Sequence, residues 1–146
     1  MRWLWMGLLF VCSTAFGQLQ VEEPWSRATA PGAKVAAGYM VIRNRGAAAD
    51  RLISASSPAA ERMETHITVR DGEVMRMREV KGYDIPANGS FELKPGGAHL
   101  MFVDIRRPFR QGDKVPAVFK FEKAGEVKVE LEVRSLSGQR QDQHRH

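Results

Sequence analysis

The sequence predicts an all-β domain, folded as a sandwich or a barrel, and three observations support this. Short runs rich in β-branched and aromatic residues recur along the chain. Glycine, proline, asparagine and aspartate separate these runs, as turns between strands require. No stretch has the apolar periodicity of a helix of three turns. Closely spaced strands of this kind are typical of sandwiches and barrels.

The first 17 residues are predicted to be a secretory signal peptide. Arg2 supplies a positive charge, and an apolar stretch from Trp3 to Cys12 follows it. That stretch is too short to span a bilayer. Ala15 and Gly17 place small residues at positions −3 and −1, so we expect cleavage after Gly17 and a location in a bacterial periplasm. The bulky residues before Cys12 disfavour its lipidation.

The remaining chain is predicted to divide into one domain, residues 18–136, and a polar, disordered tail, residues 137–146. The only cysteine, Cys12, leaves with the signal peptide, so the mature protein has no thiol and no disulfide. The formal charge of +5 falls to +4 without Arg2, the one charged residue of the first 17. Basic and acidic residues are interleaved, which argues against nucleic acid as a partner and indicates general solubility with attraction to acidic partners or anionic membrane surfaces. We expect no stable membrane insertion of the mature chain.

Eight strands are predicted in the domain. The last is the clearest, because valine and leucine alternate there with glutamate and lysine. A single helical turn is allowed at Ser57–Arg62. In chain order the predicted strands are Ala37–Asn44, Arg51–Ala55, Met63–Val69, Val74–Glu79, Phe91–Leu93, His99–Ile105, Pro116–Phe121 and Glu126–Val133.

Two pairs of histidine and methionine indicate a metal site. Asp71-Gly72 favours a two-residue type I′ hairpin, which would place His66 opposite Met77 on one face. His99 and Met101 share a face because side chains alternate along a strand. If the two pairs converge, they form a site of two imidazoles and two thioethers.

Such a site favours Cu(I). The thioether is a soft, neutral ligand that suits Cu(I) and contributes little to Zn(II), Ca(II) or Mg(II). A blue-copper electron-transfer centre requires a cysteine thiolate, which the mature chain lacks. Neutral ligands also release copper more easily than a thiolate cage, which favours carriage of the ion.

The same residues have plainer interpretations. Met40 and Met63 are predicted to fill the core, as strand methionines usually do. Met75 is either a spare sulfur ligand or packing. His144 and His146 in the tail either bind Cu(II), which imidazole and oxygen suit, or have no role. All four site residues could also be ordinary core residues of a structural or interaction β-sandwich without metal.

The sequence offers no constellation for an enzyme. It has no nucleophile elbow, no HExxH motif, no P-loop and no dinucleotide-binding glycine motif. The segment Pro95-Gly96-Gly97 has no helix after it, so a tight turn into the strand of His99 is expected. We therefore expect a non-enzymatic protein.

The chain resembles the PCu(A)C family of periplasmic copper chaperones. The family signature is a histidine, ten residues, a methionine, twenty-one residues, then His-x-Met, and His66, Met77, His99 and Met101 match it in type and spacing. Flanking segments are also similar: Pro24-Trp25-Ser26-Arg27-Ala28, Ala37-Gly38-Tyr39-Met40, Arg51-Leu52, Val74-Met75-Arg76-Met77-Arg78 and Leu93-Lys94-Pro95-Gly96-Gly97. The chain departs from the family at Thr68, where members often carry a second methionine, and at Met63-Glu64-Thr65 before His66, where they often read Val-Glu-Leu.

The resemblance implies a cupredoxin-like Greek-key β-sandwich with Cu(I) held near the surface by His66, Met77, His99 and Met101. It also implies delivery of copper towards cytochrome c oxidase, alongside a Sco-type thioredoxin-like partner. A periplasmic copper buffer is an alternative, because delivery and buffering both need a reversible Cu(I) site.

Overall fold

The computed structural model describes residues 18–135, and within them the chain forms ten strands and no helix. The predicted all-β class is therefore confirmed. In chain order the strands are β1 (Leu19–Arg27), β2 (Val35–Asn44), β3 (Asp50–Ser56), β4 (Ala60–Asp71), β5 (Val74–Glu79), β6 (Tyr83–Ile85), β7 (Ser90–Leu93), β8 (His99–Ile105), β9 (Lys114–Phe121) and β10 (Gly125–Arg134).

Hydrogen bonds connect the strands in the order β5-β4-β8-β2-β1-β10-β9-β3-β6, and β7 pairs with the second half of β2. Strands β1 and β10 run parallel, and the other registered pairs are antiparallel. Five of the eight adjacent pairs in this order join strands that are not consecutive in sequence, as expected of the cupredoxin-like sandwich. Because β8 inserts between β4 and β2, it lies at the centre of the face that carries the predicted site.

One apolar core lies between the two sides of the sandwich. Phe102 of β8, Ile42 of β2 and Phe119 of β9 are completely buried there. The alternation of β10 is confirmed, since Val129, Leu131 and Val133 point into this core and the intervening charged residues are exposed. Side chains of β4 and β8 that alternate with the core residues face away from this core, and the predicted site lies on that side.

Strands β1 and β6 were not predicted from the sequence, and a local feature explains each omission. In β1, Pro24 and two glutamates interrupt the alternation, and the register shifts between Glu22 and Trp25. Glu23 has a φ of 48°, which is unusual for a residue other than glycine. Strand β6 has only three residues, Tyr83–Ile85, and gives no periodic signal.

The helical turn allowed at Ser57–Arg62 is wrong. Pro58 and Ala59 form a turn, and β4 begins at Ala60, which pairs with Ile105 of β8. Ala60 is 2% exposed and belongs to the core. Pairing with β8 and burial of Ala60 therefore override the local preference.

The predicted register of the β4–β5 hairpin is also wrong, by two residues. Asp71 pairs with Val74, so Gly72 and Glu73 form the loop, and Thr68 lies opposite Met77. Gly72 has a φ of 62°, whereas neither Asp71 nor Glu73 is among the residues with positive φ. The loop thus has glycine in its first position, as in a type II′ turn, and spares Asp71 the positive φ of type I′. A shift of two residues keeps every side chain on its predicted face.

Candidate metal site

The two histidines of the predicted site lie side by side on the outer face of the sheet. His66 of β4 is the registered partner of His99 of β8. Their ring centroids are 5.5 Å apart. With metal–nitrogen bonds of about 2.0 Å, a single ion between the rings can contact a nitrogen of each.

His99 is held by the turn that precedes β8. Pro95 and Gly96 occupy the central positions of this turn, Gly96 has a φ of 80°, and the Gly97 amide donates to the Lys94 carbonyl at 2.9 Å. This is the tight turn predicted from the sequence. His99 is 5% exposed, and its Nδ1 lies 3.1 Å from the Gly97 carbonyl oxygen. A carbonyl only accepts, so Nδ1 carries the proton and Nε2 presents its lone pair.

His66 is oriented by Glu64, which lies two residues earlier on the same face. Its Nε2 lies 2.8 Å from Glu64 Oε2, and Arg62 Nε donates to Glu64 Oε1 at 3.0 Å. The hydrogen bond from His66, and secondly that from Arg62, lower the pKa of the Glu64 carboxyl. Because the ionised carboxylate accepts the Nε2 proton, the lone pair of His66 lies on Nδ1.

Each imidazole therefore has one buried nitrogen without a partner. His66 Nδ1 and His99 Nε2 are enclosed and make no hydrogen bond. Leaving buried polar atoms unpaired costs free energy, so such atoms in a folded protein need an explanation. Metal-ligating histidines commonly donate their other N–H to a carboxylate or a carbonyl, which is the arrangement of both rings here.

The two methionines lie on the same face, on either side of the histidines. Met101 follows His99 along β8 and pairs with Glu64, and Met77 pairs with Thr68. A surface cavity of about 360 Å³ brings several of these residues together. Its lining consists of Val35, Ala36, Ala37, Tyr39, Thr68, Met77, Gly96, His99 and Met101.

The two sulfurs differ in exposure. Met77 is 64% exposed, whereas Met101 is partly buried. His66 does not line the cavity, because its free nitrogen is enclosed beside His99. The four predicted residues thus share one face, with Met77 exposed at the cavity, His99 buried in its lining and His66 beside His99.

Tyr83 fixes the backbone beneath the histidines. Its hydroxyl lies 2.6 Å from the carbonyl oxygens of both His66 and His99, and its ring stacks on Phe91 at 4.7 Å. The hydroxyl has one proton and donates to one carbonyl at a time. Burial raises the pKa of Tyr83 above its usual value, so the hydroxyl remains a donor.

Sequence reasoning did not assign roles to Glu64 or Tyr83. Strand periodicity could have indicated Glu64, since residues two apart share a face. No sequence signal indicates Tyr83, because its contact with both histidines depends on the long-range packing of β6.

The remaining candidate residues lie apart from the cavity. Met75 is 56% exposed, pairs with Arg70 near the hairpin loop and does not line the cavity. Met40 is 2% exposed in the core and Met63 packs against the core, in agreement with their interpretation as packing. His144, His146 and the signal peptide lie outside the described residues. Within residues 18–135, no group of three or more His, Cys, Asp or Glu is placed to hold a metal.

The chain belongs to the family described as "Putative lipoprotein LpqE-like", which residues 19–133 match. It is 31% identical over 121 residues to "Putative lipoprotein Lxx21020" of Leifsonia xyli subsp. xyli. The matched segment covers 82% of this chain and 72% of that protein. In the described part of the chain, no helix has the length and apolar character needed to cross a membrane.

Solved structures of PCuAC domains share the fold. The copper-bound PCuAC domain from PmoF2 is 30% identical, with a TM-score of 0.72, and the match covers 83% of this chain and 96% of that domain. The Cu(I) form of DR1885 from Deinococcus radiodurans is 25% identical, with a TM-score of 0.63, over 81% of this chain and 80% of that one. The PCuAC relationship expected from the sequence is thereby supported.

Proposed function

We propose that this protein is a Cu(I) carrier whose site consists of His66, Met77, His99 and Met101. The observation that carries the proposal is the pair of buried imidazole nitrogens without partners, His66 Nδ1 and His99 Nε2, beside two methionines on one face. The copper-bound structures of related PCuAC domains support the choice of metal.

The ligand chemistry favours the reduced ion. Two imidazoles and two thioethers carry no charge, and soft sulfur ligands select Cu(I) over harder divalent ions. Met77 at the exposed rim offers a ligand that an incoming acceptor can displace first. This arrangement suits exchange of the ion, and we assign the protein no catalytic role.

The proposed acceptor is a copper centre of the respiratory chain. The resemblance to PCu(A)C chaperones points to cytochrome c oxidase, reached directly or through a Sco-type thioredoxin-like partner. The proposal includes export by the signal peptide, with Gln18 as the first residue of the mature chain. The lipoprotein names of relatives agree with export.

A competition titration with a chromophoric Cu(I) chelator, on residues 18–137, tests the site. We expect one equivalent of Cu(I) bound. Met77→Ala and Met101→Ala should each weaken binding by about tenfold or more, since each removes one ligand of a four-ligand site.

Met75→Ala is the matched control, because Met75 lies on the same strand as Met77 but outside the cavity. It should leave the Cu(I) affinity unchanged. A folded protein that binds no Cu(I), or equal losses in all three variants, would overturn the proposed site.

A further inference from the structure

A second cluster of side chains lies on the same outer face, beside the proposed copper site. Trp25 and Arg27 of β1 share this face with Tyr39 of β2 and Arg134 of β10, and these four residues are called the arginine platform. Trp25 pairs with Tyr39, and Arg27 pairs with Arg134. The platform therefore extends across three adjacent strands.

The platform is close to Met101. Ser26 pairs with Gly38, which places Arg27 beside Ala37, and Ala37 in turn pairs with Met101. Neighbouring strands are about 4.8 Å apart, so Arg27 and Met101 are separated by roughly 10 Å across the sheet. Ala37 and Tyr39 line the cavity of the site, so the two features share one continuous surface.

Aromatic rings hold both guanidinium groups in place. The guanidinium carbon of Arg134 lies 4.8 Å from the centroid of the Trp25 ring, and that of Arg27 lies 6.0 Å from it and 5.8 Å from the Tyr39 ring. The two rings are themselves 4.7 Å apart. Cation–π contacts of this kind favour one orientation of each arginine, so less entropy is lost when an anion binds.

Each guanidinium has one nitrogen enclosed within the platform, so an anion from outside would reach the terminal nitrogens. Arg27 Nε and Arg134 Nε are buried and have no hydrogen-bond partner. Two like charges beside the same indole also repel each other. Burial raises the pKa of Tyr39, although the charge of Arg27 opposes this, so the phenol remains neutral. Glu132, the registered partner of Trp25, brings a carboxylate beside the two guanidinium groups.

We propose that the arginine platform docks the acidic surface of the protein that exchanges copper with the site. This inference rests on the proposed function. Guanidinium groups bind carboxylates in a bidentate manner, and arginine and tryptophan are among the residues that dominate binding energy at protein interfaces. The buried Tyr39 supports Arg27 from below. A partner held there places its own copper ligands against Met101 and the open cavity.

Transfer of Cu(I) to two small chelators tests the anion recognition. Bathocuproine disulfonate carries two sulfonates, whereas neocuproine presents a similar phenanthroline nitrogen pair without charge. The second-order rate constant of transfer is measured for each, from the Cu(I)-loaded wild type and from Arg27→Gln/Arg134→Gln. At low salt, the double variant should transfer copper to the disulfonate about tenfold more slowly, with an unchanged rate to neocuproine. Salt should remove the difference, because it screens charges over about 8 Å at physiological ionic strength.

Two further variants make the outcome specific. Lys120→Gln/Lys128→Gln removes two charges from exposed positions, and Lys128 lies about 20 Å from Arg134 along β10. This control should leave both rates nearly unchanged. Arg27→Lys/Arg134→Lys keeps the charges and should retain much of the preference for the anionic chelator, which separates charge from a loss of folding.

Three results would overturn the inference. The first is an equal rate of transfer to the disulfonate from the wild type and from Arg27→Gln/Arg134→Gln. The second is an equal slowing of that variant with both chelators. The third is an equal slowing of transfer to the disulfonate by Lys120→Gln/Lys128→Gln. A wild type that fails to load with Cu(I) would instead contradict the proposed function at the first step. If the wild type binds Cu(I) but its transfer rates do not depend on Arg27 and Arg134, only the docking inference is contradicted.

Discussion

Glu64 determines which nitrogen of His66 is available to a metal. Its carboxylate accepts the Nε2 proton at 2.8 Å and leaves Nδ1 as the free, buried nitrogen. His99 has the opposite arrangement, since its Nδ1 donates to Gly97 and its Nε2 is free. The two rings therefore present different nitrogens to the space between them, and each tautomer is set by a neighbouring acceptor.

Replacing Glu64 should weaken copper binding without removing a ligand. Glu64→Gln retains the size of the side chain but is a poorer acceptor, so His66 loses its fixed tautomer and orientation. Loss of such a supporting contact typically costs about tenfold to a hundredfold in metal affinity. A Cu(I) competition titration measures this, and nitrogen NMR of the His66 ring reports the tautomer.

Glu61→Gln is the control for that variant, because Glu61 lies on the same strand, is exposed and has none of the contacts described for His66. It should bind Cu(I) as the wild type does. Wild-type affinity together with a wild-type tautomer in Glu64→Gln would contradict the role given to Glu64.

At the scale of elements, the β4–β5 hairpin brings Met77 to the site. The observed register places Met77 opposite Thr68, and both line the cavity. The Thr68 hydroxyl donates to the Gly97 carbonyl at 3.0 Å, which ties β4 to the turn that positions His99. Thr68 therefore makes a structural hydrogen bond at the position where the sequence departs from the PCu(A)C pattern.

Thr68→Met should raise the affinity for Cu(I) and lower the free energy of unfolding. The added thioether would lie beside Met77 and raise the Cu(I) affinity, and loss of the hydrogen bond to Gly97 should cost about 1 kcal/mol of unfolding free energy. Thr68→Leu is the matched control, since it loses the same bond and adds no sulfur. Equal Cu(I) affinities of the two variants would contradict the geometry assigned to the hairpin.

The sequence predicts which face of a strand each side chain occupies better than it predicts which strands pair. His66, Met77, His99 and Met101 share a face as predicted, because alternation along a strand depends only on local backbone geometry. The hairpin register was wrong by two residues, since Asp71-Gly72 is compatible with two turn types. The pairing of His66 with His99 depends on β8 inserting beside β4, which no local pattern specifies.

At the scale of the molecule, strand spacing predicted the fold class, and the spacing of four residues predicted the candidate site. The contacts that support the site could not be predicted from such spacings. Tyr83 reaches both histidine carbonyls from a strand of three residues, and Trp25 meets Arg134 across a parallel pair of strands that are distant in sequence. Such contacts arise from the packing of the whole sandwich, so one sequence cannot indicate them.

Removal of the tail separates two modes of copper binding. Truncation after Ser137 deletes His144 and His146, whose imidazoles suit Cu(II), and leaves the site on β4, β5 and β8 intact. We expect weaker Cu(II) binding and unchanged Cu(I) binding, measured on the full mature chain and the truncated one. Unchanged Cu(II) binding would show that the tail has no part in it.

The most direct test of the proposed site is methionine methyl NMR during a Cu(I) titration. Five methionines follow residue 17, namely Met40, Met63, Met75, Met77 and Met101. The methyl signals of Met77 and Met101 should shift in proportion to the copper added, up to one equivalent. Those of Met40 and Met63 should remain in place, because both pack in or against the core. Shifts at Met75 in place of Met77, or no shift at Met101, would contradict the site.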